Sequence, residues 1–183
     1  MQLEDGKGTG HQAAVDEENR LQVFSVTLSK FASTSETHGS SFCWTSATAA
    51  LAANDTLLWL TSSSTTQILH IQKIYVWGDV PTVFKVHCPT YTAPAGTLVT
   101  GVNLNRTSGL SAETVAYTDE TTNVFAQTNV ITTVRNNEAT ADEFGQWINY
   151  DGALILGYHN CVAIDTTIEL AAFQCTIMGY FHD

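Results

Sequence analysis

Apolar and polar positions alternate along most of this chain. In 21–31, LQVFSVTLSKF, Phe24, Val26 and Leu28 share one face, and that period of two predicts a strand. The short aromatic run SSFCW (40–44) and the apolar run TLLWLTSS (56–63) predict two more. The longest clear strand is TQILHIQKIYVW (66–77), with Leu69, Ile71, Tyr75 and Trp77 on a face interrupted by Lys73, and Ile68, His70, Gln72, Ile74 and Val76 on the other. Gly78 and Asp79 then turn the chain into VPTVFKVHC (80–88), which reads as a hairpin partner. PTYTAPAGT (89–97) reads as a loop or edge. TLVTGVNLN and SAETVAYT predict weaker strands, and NVFAQTNVITTV (123–134) a stronger one.

RNNEATADEFGQWINYDG (135–152) is polar and irregular, with room for one helical turn around 142–144. The chain closes on ALILG, CVAID and IELAAFQCTIMGYFHD. In that last run Ala171, Phe173, Cys175, Ile177 and Phe181 share a face. No stretch carries a sustained 3.6-residue apolar stripe; TSATAALAAND (45–55) comes nearest. The pattern predicts an all-β fold, an antiparallel β-sandwich of eight to ten strands over residues 21–183. The apolar terminal strand belongs inside its sheet, because an exposed apolar edge invites aggregation. A late strand returning to the interior is a feature of jelly-roll wiring.

Residues 1–20 stand apart as an extended N-terminal arm, rich in acid and carrying Gly6, Gly8 and Gly10. GKGTG (6–10) is not a phosphate loop, since no strand precedes it and no helix follows. No basic stretch followed by an apolar one marks a secretory signal, and no apolar run reaches the length of a membrane-spanning helix.

Composition narrows the partners. Charged residues make up only 14%, so Thr, Ser, Asn and Gln must supply the polar surface. With seven Lys and Arg and a net charge of -11, the chain lacks the basic surface needed by nucleic acid or an anionic membrane. The four cysteines form no C-x-x-C pair and read as reduced, with Cys161 and Cys175 in apolar runs.

Candidate chemistry is sparse. No histidine pair has metal-ligand spacing, although His70 and His87 fall in neighbouring predicted strands. TDETTN and DEEN offer oxygen atoms but lack the register of a calcium loop. No nucleophile, base and orienter are placed together, and Asp142 and Glu143 read as solvated surface acids. The chain is therefore read as a non-enzyme with no metal and no cofactor. Of the four tryptophans, Trp59 and Trp77 lie in apolar strands and are expected in the core. Trp44 and Trp147, beside polar or irregular segments, are expected to be exposed. With Tyr91 they are the candidate glycan contacts of a carbohydrate-binding or host-adhesion module on a tail or head fibre.

The succession of features carries a resemblance. An acidic DGKGTGHQAAVDEENRLQV arm precedes HGSSF, then DTLLWLTSSSTTQILHIQKIYVW, GVNLN and TIELAAFQCTIMGYF. Across nearly the whole chain this resembles the small β-rich virion structural proteins of tailed bacteriophages, of the head-decoration (cement) or minor capsid type. The resemblance implies a jelly-roll sandwich, often a homotrimer, bound to the major capsid protein on the capsid surface and assembled in the bacterial cytoplasm. It implies no catalytic residue. An extended arm suits β-addition to a neighbour, with Gly6, Gly8 and Gly10 allowing close backbone approach. Arg20 is the candidate anchor to a partner carboxylate.

Overall fold

The computed structural model describes residues 29–47, 50–53, 55–91, 95–119, 129–136 and 145–182, with the backbone pairing of 14–15 to 21–22. The candidate residues Gly6, Gly8, Gly10 and Arg20, and the expected helical turn at 142–144, lie outside the described residues. In chain order the elements are β1 (Ala14–Val15), β2 (Leu21–Gln22), α1 (Lys30–Thr37), β3 (Ser41–Ala47), β4 (Thr56–Ser62), β5 (Ile68–Gly78) and β6 (Thr82–His87). They continue with β7 (Thr97–Val99), β8 (Val102–Asn103), β9 (Thr114–Thr118), β10 (Val130–Asn136), β11 (Gln146–Leu156), β12 (Cys161–Thr166) and β13 (Phe173–His182).

Apart from the β1–β2 ribbon, the strands form two antiparallel sheets, ordered β10-β6-β12-β4-β9-β7 and β11-β5-β13-β3-β8. The fold is an all-β sandwich. Its eight longest strands pair as a rolled-up hairpin: β3 with β13, β4 with β12, β5 with β11 and β6 with β10, the first with the last and inwards. The terminal strand β13 lies between β5 and β3, inside its sheet as its apolar face requires. Strands β5 and β6 are not hairpin partners. The connection at Asp79–Pro81 crosses from one sheet to the other, so both strands present apolar faces to the same core.

That core is filled by alternate residues of both sheets, among them Phe42, Trp44, Leu60, Phe84, Ile177 and Phe181. Strands β4 and β12 are buried along their whole length. They are adjacent in the six-stranded sheet and covered on both faces, which is why TLLWLTS and CVAID read as nearly continuous apolar runs. Strand β13 keeps a period of two because only one of its faces meets the core.

Two local features depart from the sequence reading. Lys30 and Phe31 open a helix instead of ending a strand. Ser29 caps it, its hydroxyl accepting from the Ala32 N–H at 3.1 Å. The helix has only two turns and no apolar stripe, so its place comes from tertiary contacts. Phe31 meets Tyr180 edge-on, Lys30 donates to His182 Nε2 at 2.8 Å, and Asn105 Nδ2 donates to the Ser35 carbonyl at 2.8 Å. The segment 146–152, expected to be irregular, is the first part of β11. Asp151 and Gly152 there both adopt positive φ, which breaks the register with β5. A side chain at Gly152 would also strike the Tyr180 hydroxyl, 2.8 Å from the position of a Cβ.

Candidate functional site: the outer face of the five-stranded sheet

An irregularity in β5 builds this face. Opposite β13, the register jumps between Lys73 and Ile71, leaving Gln72 as an extra residue. Such a bulge reverses the facing of everything beyond it. Leu69 and Ile71 point into the core before it, and Ile74 and Val76 after it. Tyr75 and Trp77, expected in one row with Leu69 and Ile71, therefore join Lys73 on the outside. Trp77 is half-buried and lies outside the core.

Strand β11 supplies the neighbours. Trp147 lies opposite Tyr75, and Asn149 opposite Lys73. The Trp147 and Tyr75 rings are 5.0 Å apart at 53°, and the Lys73 ammonium sits 4.3 Å from the centre of the Trp147 ring. A cation over an indole is attracted by the negative face of the ring. The Tyr75 hydroxyl accepts from the Gly145 N–H at 3.2 Å. These contacts fix Trp147 while leaving it 50% exposed. Across the sheet the same row continues through Thr176 to Thr45, whose hydroxyls lie 3.0 Å apart. The row runs Trp147, Tyr75, Thr176, Thr45: two aromatic rings, then two hydroxyls.

At the other end of this face, α1 covers the sheet. His70 stacks on Tyr180 at 5.0 Å and donates from Nδ1 to the Gly152 carbonyl at 3.0 Å. His182 lies beside it, its Nε2 within 2.8 Å of the Lys30 ammonium. A cleft of about 250 Å³ beside it is lined by His38, Ser40, Gln67, Leu110, Phe181 and His182.

The expected exposure of Trp44 is corrected by the structure. Trp44 lies opposite Ile177 on the inner face of β3 and is fully buried, its indole N–H donating to Thr114 Oγ1 at 2.9 Å. It cannot touch a glycan from the core. Gly101 lies against it, where a Cβ would come within 2.4 Å of the indole nitrogen. Tyr91 is exposed, as expected of a loop residue, but sits on the other sheet. It packs on Trp59 and stacks on His159 at 4.4 Å. Trp147 alone of the three candidates lies on the five-stranded sheet's outer face. The sequence reading missed Lys73, Tyr75 and Trp77 as its companions; a lysine interrupting an apolar row was the available sign of a shift in facing.

The six-stranded sheet's outer face is closed over much of its width. His87 Nε2 lies 2.9 Å from Asp165 Oδ1, with His87 fully buried. His70 and His87, expected in neighbouring strands, belong to different sheets. All four cysteines are free. Burial pushes the Cys88, Cys161 and Cys175 thiols up, away from the thiolate form a nucleophile needs. Among the described residues no group of three His, Cys, Asp or Glu side chains is placed to hold a metal ion, and no helix is long and apolar enough to cross a membrane. Compared with known proteins, the chain matches no family model, no curated protein and no solved structure.

Proposed function

We propose that this chain is a structural protein of a bacteriophage virion, fixed to the capsid exterior by contacts with the major capsid protein and with copies of itself. The observation that carries the reading is the order of the eight long strands, which pair first with last as a rolled hairpin. This order supports a jelly roll, an architecture used by viral capsid and lectin domains. The sequence features that resemble head-decoration proteins point to the first of these.

The side of the sandwich where β7 and β8 end supplies a contact surface. Leu98 is 64% exposed there, and Val102 and Leu110 are exposed beside it. Clustered aliphatic residues at a sheet edge suit burial against another protein. Residues 1–20 extend the interface to a neighbouring subunit, with Gly6, Gly8, Gly10 and Arg20 at its contacts. The closed outer face of the six-stranded sheet serves stability rather than chemistry.

Cryo-electron microscopy of purified virions tests this reading. Density for the sandwich on the capsid exterior, in groups of three, is the expected result. Virions that contain no copy of the chain overturn it. Deletion of residues 1–20 tests the arm separately: a truncated protein that decorates capsids with unchanged affinity removes the arm from the interface.

A further inference from the structure

We propose that the open part of the five-stranded sheet's outer face, the row from Trp147 to Thr45, is a binding site for a neutral oligosaccharide. Its ring pair lies on β11 and β5, across the sheet from β8, whose Val102 belongs to the contact surface, so the aromatic end of the site does not depend on the assembly reading.

The ring pair comes first. Trp147 is half-exposed but held by Tyr75 on one side and by the Lys73 ammonium over its ring. An aromatic surface fixed before the ligand arrives loses little freedom on binding. An indole offers an apolar plane to the C–H face of a sugar ring. It also sits on strands, which hold position better than loops.

Next comes the polar part of the face. Outward positions beside the rings carry Asn149, Gln174, Thr176 and Thr45. Hydroxyls and amides both donate and accept, as sugar hydroxyls do. From Trp147 to Thr45 the row crosses three inter-strand steps, about 14 Å at the usual spacing. That length suits a di- or trisaccharide lying across the strands.

Charge decides the class of sugar. The chain carries a net charge of -11, yet beside these rows stands a single described carboxylate, Asp151, which accepts from Gln72 Nε2 at 3.2 Å and balances Lys73 in charge. The residues paired across the rows, Trp147, Tyr75, Thr176 and Thr45 with Asn149, Lys73, Met178 and Cys43 and with Trp77, Gln174 and Ala47, include none. The one cation among them, Lys73, is engaged with the Trp147 ring. The face is thus close to neutral and hydroxyl-rich, complementary to a neutral glycan. A second copy of the chain is a poorer occupant, since Leu98 and Leu110, its natural apolar contacts, lie at the side of the sandwich.

The test uses the full chain on an array of neutral and acidic oligosaccharides, followed by titration of tryptophan emission with the neutral sugar that binds best. The expected result is saturable binding of a neutral di- to tetrasaccharide with a change in emission. Trp147→Ala weakens it roughly tenfold or more, the scale of one lost aromatic contact. Trp147→Phe restores part of the affinity, Tyr91→Ala leaves it unchanged, and thermal melting confirms that each variant folds. Three results each overturn the proposal: no neutral sugar binds, Trp147→Ala binds like the parent, or Trp147→Ala changes the oligomer mass with no effect on a sugar. Capsid attachment of Trp147→Ala is expected to be unchanged whichever result appears, so the two readings fail separately.

Discussion

The two outer faces of this sandwich contain similar residues and have opposite fates. On the six-stranded sheet the register lines up Val130, His87, Ala163, Trp59, Tyr117 and Leu98 in one row across all the strands. The ends of that row are exposed, but His87, Ala163 and Trp59 in its middle are fully buried. Tyr91 packs over Trp59, and His159 stacks between Tyr91 and Tyr158. On the five-stranded sheet the matching row of Trp147, Tyr75, Thr176 and Thr45 has no such cover among the described residues, and α1 closes only the far end. A tryptophan on an outer face can therefore stabilise the fold or remain available to a ligand. The cover decides which.

This comparison makes Trp59→Ala the most damaging change. Loss of a fully buried tryptophan is expected to cost about 3–5 kcal/mol in urea denaturation. A cost near that of a surface substitution shows that the cover over Trp59 opens freely in solution. Asp165→Ala comes next, at about 1–3 kcal/mol, because it removes a polar neighbour of a buried imidazole. In the cycle with His87→Ala, the double variant should lose less than the two singles combined. Strict additivity means the 2.9 Å contact contributes no coupling.

Tyr91→Ala removes part of the cover and is expected to cost about 1 kcal/mol, the scale of a lost aromatic contact with its buried area. Tryptophan emission should shift to the red as Trp59 meets water. An unshifted spectrum assigns the shielding to other residues.

An alkaline titration probes the core of the five-stranded sheet. Burial raises the Cys175 thiol above its ordinary value of 9.0, so the folded state keeps the proton while the unfolded chain releases it. The resulting stabilisation is complete below about pH 9 and is lost as pH rises through the folded value. Above pH 9 the stability of the parent should fall more steeply than that of Cys175→Ala. Parallel curves would show that the thiol is not linked to unfolding. Trp147→Ala is expected to cost no more than about 1 kcal/mol, the scale of its exposed contacts with Tyr75 and Lys73. A loss as large as that of Trp59→Ala would erase the contrast between the two faces.

Much of the fold was legible in the sequence because sheets leave a local trace. The period of two in FQCTIMGYFH announced a strand with one covered face. The unbroken TLLWLTS and CVAID announced strands, and the fold shows both of their faces covered. The candidate site was legible only in part. Trp147 stood out beside polar residues and is exposed, but the same reasoning failed for Trp44, whose flanking SSFC and TS say nothing about Gly101 and Thr114 closing over its indole. Tyr75 and Trp77 were placed in one row with Leu69 and Ile71, and Trp77 in the core, because strict alternation was carried through Gln72. The helix α1 escaped notice because its contacts with Tyr180, His182 and Asn105 are far away in sequence.

By itself, then, the sequence determined the all-β class, the sandwich, the interior place of the terminal strand and the scarcity of charge on the surface. Each follows from short-range alternation or from composition. Only the tertiary structure decided which tryptophans face water. One extra residue in β5 reverses the facing of every side chain after it, and the cover over an outer face comes from loops more than sixty residues apart, Tyr91 and His159 meeting above Trp59. Both are long-range events that local alternation does not record.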